Sequence, residues 1–409
     1  MASGIYGKFR RITSNKAYFP EIDGIRFLAI ILVLLFHSHQ YFFIKQIQNR
    51  LFVSDHSIIY DWCREFLQRG DRGVSMFFVL SGFILCLPFA NQYIQGAKQV
   101  SLKKYYLRRL TRLEPPYITA IVAIFLLQLA SKTHSDITID NQLLHLFATL
   151  TYTHEIIYHA PPIFTVVAWS LAIEIQFYTI APLLFLVLKG KPLVRRTILI
   201  IAIFFFLMLQ AVLKVNINFI YQYIQYFLVG ILLADFHVSY LKPAFFNKRF
   251  MPLLALVLIF VIVMMPKETY PLFNMMAYFN LHRLIEMHTM LYAISYLAYP
   301  FAIAFLYFIV LKNDFVKRVF SYGWIPLIGG MCYSIYLLHY TIIATVGKVL
   351  YKIRLTDHYL PNLMFEMTLF IGLSVFISAI FYILIERPFM DQRWTEKLIQ
   401  KFNKKLDSE

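Results

Sequence analysis

The apolar stretch RFLAIILVLLFHSHQYFFI, residues 26–44, decides the fold class of this chain. A helix needs about 20 mostly apolar residues to cross a hydrocarbon core of roughly 30 Å, and this stretch is long enough to do so. Comparable stretches recur along the whole chain, at 74–93, 114–131, 167–188, 197–214, 219–236, 251–267, 288–311, 324–347 and 362–386. The sequence therefore predicts an all-α fold, a polytopic membrane bundle of about ten transmembrane helices.

The composition excludes a soluble protein. Of the 409 residues, 59% are hydrophobic and only 15% are charged, whereas soluble domains carry about 25% charged residues. The formal net charge is +17, but a nucleic-acid binder needs a polar, water-exposed face for its basic groove, so we expect no nucleic-acid partner. The cysteines Cys63, Cys86 and Cys332 are far apart, and neither they nor the histidines show a metal-binding spacing, so we predict no metal site.

The distribution of Lys and Arg predicts the orientation, because cytoplasmic loops are enriched in both. With the N-terminus inside, 27 of the 39 basic residues fall in cytoplasmic segments. Both termini are then cytoplasmic, and membrane lipids surround the bundle. We expect a cytoplasmic N-terminal segment at 1–25, a membrane domain at 26–388 and a basic cytoplasmic tail at 389–409.

Two ionisable residues of the first span share one helical face. Arg26 and His37 are eleven residues apart, which on a helix returns to within about 20° and rises about 16.5 Å. Such residues cost about 2.5–3.5 kcal/mol each inside a membrane, so each calls for an explanation. Arg26 alone could be a snorkelling anchor, and His37 alone an interhelical hydrogen-bonding group. Their shared face favours a functional interpretation.

The segment SLKKYYLRRLTRLEPPY, residues 101–117, holds a second basic cluster. Arg109 and Arg112 lie three residues apart and can share a helical face just before a helix start at Pro115, a geometry suited to phosphate oxygens. With Arg26 they would form a cytoplasmic phosphate site. A loop that only sets the orientation, or a patch that binds lipid headgroups, would show the same charge.

The segment WSLAIEIQFY, residues 169–178, places Ser170, Glu174 and Tyr178 on one stripe of a helix. A carboxylate in an apolar span faces the bundle interior rather than lipid. The stripe is either a structural network or a site that faces the substrate or orients a histidine, and we favour the site.

A later segment carries aromatic and histidine side chains at helical spacing. Tyr336 and His339 can neighbour each other at i, i+3, although tyrosine-rich stretches usually serve packing. Glu386, near the end of the last span, is expected to cap cytoplasmic cations.

These landmarks, in this order, resemble the acyltransferase-3 family of membrane acyltransferases, bacterial members of which O-acylate cell-surface glycans. The resemblance covers nearly the whole chain. The segments that carry it are EIDGIR at 21–26 followed by His37, RGVSMFFVLSGF at 72–83, Arg109 and Arg112 followed by Pro115 and Tyr117, the segments 169–178 and 333–339, and ERP at 386–388. Glu114 departs from the pattern, and we expect it to weaken phosphate binding or to pair with Arg112.

The resemblance implies a cytoplasmic acyl-CoA, usually acetyl-CoA, as co-substrate and no permanently bound cofactor. The acceptor would be a hydroxyl of a glycan or lipid-linked glycan, such as lipopolysaccharide O-antigen, and the location the bacterial cytoplasmic (inner) membrane. Arg26, Arg108, Arg109 and Arg112 would bind the acyl-CoA phosphates. The chain resembles the stand-alone form, which implies transfer by the membrane domain alone or a separate extracytoplasmic transferase partner.

Two residues are expected to be catalytic. His37 would accept the proton of the acceptor hydroxyl as it attacks the thioester, while Glu174 would orient His37 or bind the acceptor. Tyr178 could stabilise the oxyanion. Supporting roles are expected for Trp169, Ser81, Tyr336 and His339. A covalent acyl-enzyme on histidine, serine or tyrosine is the alternative pathway, and the residues do not choose between the two.

Other functional classes fit the same composition. A transporter or flippase for a polar or lipid-linked substrate also needs many spans with interior Arg, His and Glu. The pattern of Arg26 and His37 has no counterpart in the second half of the chain, which speaks against an inverted repeat. A structural or sensing membrane subunit is a third class.

Overall fold

The computed structural model describes residues 9, 11–12, 18–48, 58–213, 218–239, 246, 248–265, 287–391 and 394. The helices of the first half are α1 Pro20–Gln48, α2 Ile58–Gln68, α3 Arg72–Gln95, α4 Leu102–Ala130, α5 Ile139–Leu150, α6 His154–Tyr158, α7 Ala168–Leu184 and α8 Pro192–Val212. The helices of the second half are α9 Ile224–Ser239, α10 Met251–Met264, α11 Met287–Lys312, α12 Asp314–Phe320, α13 Ile325–Gly330, α14 Cys332–Leu350, α15 Tyr359–Phe381 and α16 Arg387–Phe389. The short helical turns Phe185–Lys189, Ile220–Gln222 and Tyr382–Glu386 complete the elements.

The predicted all-helical membrane fold is confirmed. Seven helical segments among the described residues are long and apolar enough to cross a membrane, and α9 and α10 are shorter apolar helices. Each of the predicted stretches contains a helix, although the one at 324–347 is divided into α13 and α14 at Met331. The total of ten crossings and the cytoplasmic termini stay predictions. The predicted tail at 389–409 lies almost entirely outside the described residues.

Helix α4 begins earlier than its sequence suggests. The prolines were expected to mark a helix start, but Pro115 and Pro116 lie inside the helix, which begins at Leu102. Ser101 caps this end by accepting a hydrogen bond from the Lys104 amide at 3.4 Å. Membrane helices tolerate internal prolines because neighbouring groups satisfy the freed backbone. The basic cluster is therefore helical rather than a loop.

The segment between α4 and α7 packs against the bundle. The Tyr117 hydroxyl of α4 donates to the Thr149 carbonyl at 2.7 Å, and the Tyr152 ring stacks on the Tyr117 ring at 4.6 Å. The Tyr152 hydroxyl donates to the Glu114 carboxylate at 3.2 Å. Among the described residues Glu114 therefore pairs with Tyr152, and the expected pairing with Arg112 is wrong.

Helices α3 and α9 cross in backbone contact. A Cβ atom on Gly82 would lie 2.3 Å from the Phe227 carbonyl oxygen, and a Cβ atom on Gly230 would lie 2.2 Å from the Val79 carbonyl oxygen. Only glycine permits so close an approach. The crossing sets the separation of two helices that both contribute to the cavity described next.

Candidate active site

A cavity of about 650 Å³ lies between α1, α3, α4, α7, α9 and α14. Its lining contains a set of arginines, here called the arginine end, which comprises Arg11, Arg26, Arg108, Arg109 and Arg112. A second set, called the hydroxyl end, comprises Ser81, Ser170, Glu174 and Tyr336. The fold thus brings into one cavity residues that are more than 300 positions apart in the sequence.

A buried aspartate organises part of the arginine end. The Asp23 carboxylate, 2% exposed, accepts hydrogen bonds from Arg26 and, at 3.4 Å, from Arg11. Burial lowers and the Asp23 carboxylate raises the pKa of Arg11, with a net increase, so its guanidinium stays charged. Sequence reasoning missed Arg11, because it precedes the first span and matches no spacing with the other arginines.

The first turns of α4 supply the remaining arginines. Arg108, Arg109 and Arg112 all line the cavity, so the predicted gathering of Arg109 and Arg112 with Arg26 is present in the structure. The Arg109 guanidinium lies 5.9 Å from the centre of the Tyr178 ring, and its Nε is buried without a hydrogen-bond partner among the described residues. Arginines outnumber carboxylates in the lining, so this end is suited to a polyanion.

Paired polar side chains form the hydroxyl end. The Ser81 hydroxyl donates to Glu174 Oε1 at 2.5 Å, joining α3 to α7. The Ser170 and Tyr336 hydroxyls are hydrogen bonded at 2.5 Å, joining α7 to α14. The predicted stripe is real, since Ser170, Glu174 and Tyr178 all line the cavity.

The two histidines lie behind this lining. Neither His37 nor His339 is among the residues that line the described cavity. Their ring centres are 5.1 Å apart, and His339 is 5.6 Å from the ring of Tyr336, which does line it. His339 Nδ1 lies 2.8 Å from the Tyr336 carbonyl oxygen. A carbonyl only accepts, so Nδ1 carries the proton and the buried Nε2 is the acceptor nitrogen.

Three of the predicted residues make contacts that the sequence did not indicate. Glu174 bonds to Ser81, and no hydrogen bond joins it to His37 among the described residues, so the expected orienting contact is not formed. Trp169 lies outside the cavity lining and packs against Tyr223 at 5.2 Å. Glu386, 1% exposed, accepts hydrogen bonds from the amide and hydroxyl of Ser334 rather than capping cations directly.

Comparison with known proteins identifies the family of the chain. The acyltransferase-3 family model, described as an acyltransferase domain, matches residues 19–383. The Staphylococcus aureus (strain MRSA252) protein SAR0937, named as a candidate O-acetyltransferase, is 23% identical over 94% of this chain and 60% of its own length. The peptidoglycan O-acetyltransferase OatA of Listeria monocytogenes is 28% identical over 42% of this chain and 25% of its own length.

A second OatA, the O-acetyltransferase of Staphylococcus aureus (strain NCTC 8325), is 26% identical over 45% of this chain and 28% of its own length. No solved structure matches the chain. The chain spans only about 60% of the length of a relative such as SAR0937. Since the family model covers nearly the whole chain, from residue 19 to residue 383, the protein belongs to the acyltransferase-3 family.

Proposed function

We propose that this protein is a multi-pass membrane O-acyltransferase that moves an acetyl group from acetyl-CoA to a hydroxyl of a cell-surface or exported glycan. The observation that carries the proposal is a cavity whose lining combines five arginines with hydrogen-bonded hydroxyl and carboxylate groups. Family membership supports acyl transfer, and the names of the relatives support acetyl as the group and a glycan as the acceptor. The membrane is a bacterial cytoplasmic membrane.

The arginine end binds the donor. With the N-terminus in the cytoplasm, this end faces the acyl-CoA pool. Guanidinium groups bind phosphate oxygens through paired, charge-assisted hydrogen bonds, and Arg26, Arg109 and Arg112 offer such groups from two helices. The pantetheine arm extends along the cavity and carries the thioester to the hydroxyl end.

The reaction takes place at the hydroxyl end of the cavity. The acceptor oxygen attacks the thioester carbonyl carbon, a C–O bond forms as the C–S bond breaks, and the coenzyme leaves as a thiolate. His37 accepts the proton of the acceptor hydroxyl, and Glu174 binds the acceptor. His37 does not line the cavity and packs against His339 at 5.1 Å, so this step requires a rearrangement that brings the acceptor hydroxyl within hydrogen-bonding distance of His37.

The test compares surface glycans by mass spectrometry after deletion of the gene and restoration with wild type or His37→Ala. We expect an acetyl ester, on peptidoglycan or lipopolysaccharide, that disappears on deletion and returns only with wild type. Loss of a general base slows a reaction by about 100- to 10,000-fold. An ester that persists after deletion would overturn the function, and full restoration by His37→Ala would overturn the role of His37.

The matched control is His39→Ala. His39 lies on the same helix, is 1% exposed and packs on Phe43 at 5.3 Å, outside the cavity lining. We expect this variant to restore the ester. Equal amounts of both variants in the membrane, measured by immunoblot, exclude a difference in insertion.

A further inference from the structure

Beyond the arginines, the cavity has a polar wall with no role in the proposed reaction. Asn91 and Gln95, one turn apart near the end of α3, and His237, near the end of α9, line this wall, here called the amide face. The two helix ends are joined because Gln95 Nε2 donates to the Val238 carbonyl at 3.2 Å. The amide face is therefore a built feature of two packed helices.

The amide face has unused hydrogen-bonding capacity. Within the described part of the chain, the Asn91 side chain has no hydrogen-bond partner, and Gln95 Oε1 accepts no hydrogen bond. His237 packs edge-on to Phe83 at 5.5 Å with its Nδ1 buried, so Nε2 is the ring nitrogen that can meet a ligand. Asn91 is half-buried and Gln95 is exposed, so their unpaired polar atoms can be reached by a ligand that enters the cavity.

The position of the amide face along the cavity identifies the part of the ligand it meets. Asn91 is ten residues past Ser81 on α3, about 15 Å along the helix from the hydroxyl end. At the level of the Phe89 ring α3 packs against Tyr105, 5.9 Å away, and Tyr105 precedes Arg109 by one turn of α4. The amide face therefore lies about 15 Å from Ser81 along α3, beyond the level of Arg109.

A donor with its thioester at the hydroxyl end and its phosphates on the arginines places its nucleobase at the amide face. Adenine presents a donor, its exocyclic amino group, beside a ring-nitrogen acceptor. A carboxamide such as that of Asn91 matches this pair with two hydrogen bonds. Gln95 Oε1 can accept from the same amino group, and the His237 ring adds a further nitrogen.

We propose that Asn91, Gln95 and His237 recognise the adenine base of the acyl donor. The inference rests on the proposed function and adds to it, because arginines alone would bind any acylated phosphopantetheine. The amide face would make the protein select the nucleotide form.

The test compares two donors with the purified protein in lipid vesicles, acetyl-CoA and acetyl-phosphopantetheine, which lacks adenosine and two of the three phosphate groups. Asn91→Ala and His237→Ala are expected to raise KM for acetyl-CoA by about 3- to 10-fold each, the effect of one or two lost hydrogen bonds. Their kinetics with acetyl-phosphopantetheine should equal those of wild type. Equal changes with both donors, or no change with either, would overturn the proposal.

Gln92→Ala is the matched control. Gln92 is the neighbour of Asn91 on α3, lies outside the cavity lining, and accepts a hydrogen bond from the Val100 amide at 2.8 Å. We expect it to leave the ratio of KM values for the two donors unchanged.

A donor with hypoxanthine in place of adenine sharpens the test, because an oxo group replaces the amino group. Wild type should use it less well than acetyl-CoA, and this preference should be smaller in Asn91→Ala, where only Gln95 remains to accept from the amino group. If wild type transferred acetyl from neither acetyl-CoA nor acetyl-phosphopantetheine, the proposed function would fail, and the amide face with it.

Discussion

Two buried aspartates each hold a pair of arginines, yet only one of the two clusters lines the cavity. The cavity cluster is Arg11, Asp23 and Arg26, and the packing cluster is Arg195, Asp235 and Arg196. The aspartates are 2% and 0% exposed, so burial and charge are alike in the two clusters. An arginine–aspartate cluster therefore does not by itself indicate a binding site. A cluster is a candidate binding site only where its arginines line a cavity.

The surroundings of the packing cluster show a structural role. Arg195 and Arg196 each approach Asp235 to 2.5 Å, which joins α8 to α9. Arg195 also donates to the Gly190 carbonyl at 3.3 Å and the Ser239 hydroxyl at 3.1 Å. None of the three residues of this cluster lines the described cavity. The packing cluster therefore makes its hydrogen bonds to other groups of the protein.

The largest expected effect is a loss of stability when the packing cluster loses its aspartate. Asp235→Ala leaves two nearly buried guanidinium groups without their carboxylate, which costs about 3–5 kcal/mol. We expect a clear fall in the midpoint of thermal unfolding in detergent, with an unchanged KM for acetyl-CoA in the protein that remains folded. A changed KM at an unchanged midpoint would reverse the assignment of the two clusters.

The second expected effect is a loss of donor binding when the cavity cluster loses an arginine. Arg26→Ala removes charge-assisted hydrogen bonds to phosphate worth about 1.5–3 kcal/mol, so KM for acetyl-CoA should rise about 10- to 100-fold. Arg196→Ala, the counterpart in the packing cluster, should change KM less than about twofold. Steady-state kinetics in vesicles measure both. Similar KM values for the two variants would contradict the assignment of donor binding to the cavity cluster alone.

The smallest effect concerns salt. Screening weakens contacts between a mobile anion and partly exposed charges, so higher ionic strength should raise the wild-type KM for acetyl-CoA on the order of threefold. The dependence should be shallower for Arg26→Ala and like wild type for Arg196→Ala. Parallel salt dependences in all three proteins would mean that Arg26 does not meet the donor.

The fold class and part of the site were predictable because they depend on local patterns. Apolar stretches of membrane length give the helices, and the spacing of Arg109 and Arg112 gives a shared face whether or not the helix starts at the prolines. Ser170, Glu174 and Tyr178 reach the cavity for the same reason.

The remaining contacts depend on which helices meet, and periodicity carries no information about that. The angle between Arg26 and His37 on α1 was computable, but the placement of His37 against His339 and behind Tyr336 is set by α14. The pairing of Glu114 with Tyr152 likewise requires the segment after α4 to turn back onto the bundle.

The glycine crossing of α3 and α9 has a consequence for mutational tolerance. Every residue other than glycine carries a Cβ atom, and at Gly82 or Gly230 that atom would overlap a carbonyl oxygen of the facing helix. A substitution by any other residue at either position therefore disturbs the crossing, whereas a leucine that faces lipid can be replaced by another apolar residue. Larger residues in this part of the protein are therefore accommodated only on the helix faces away from the crossing.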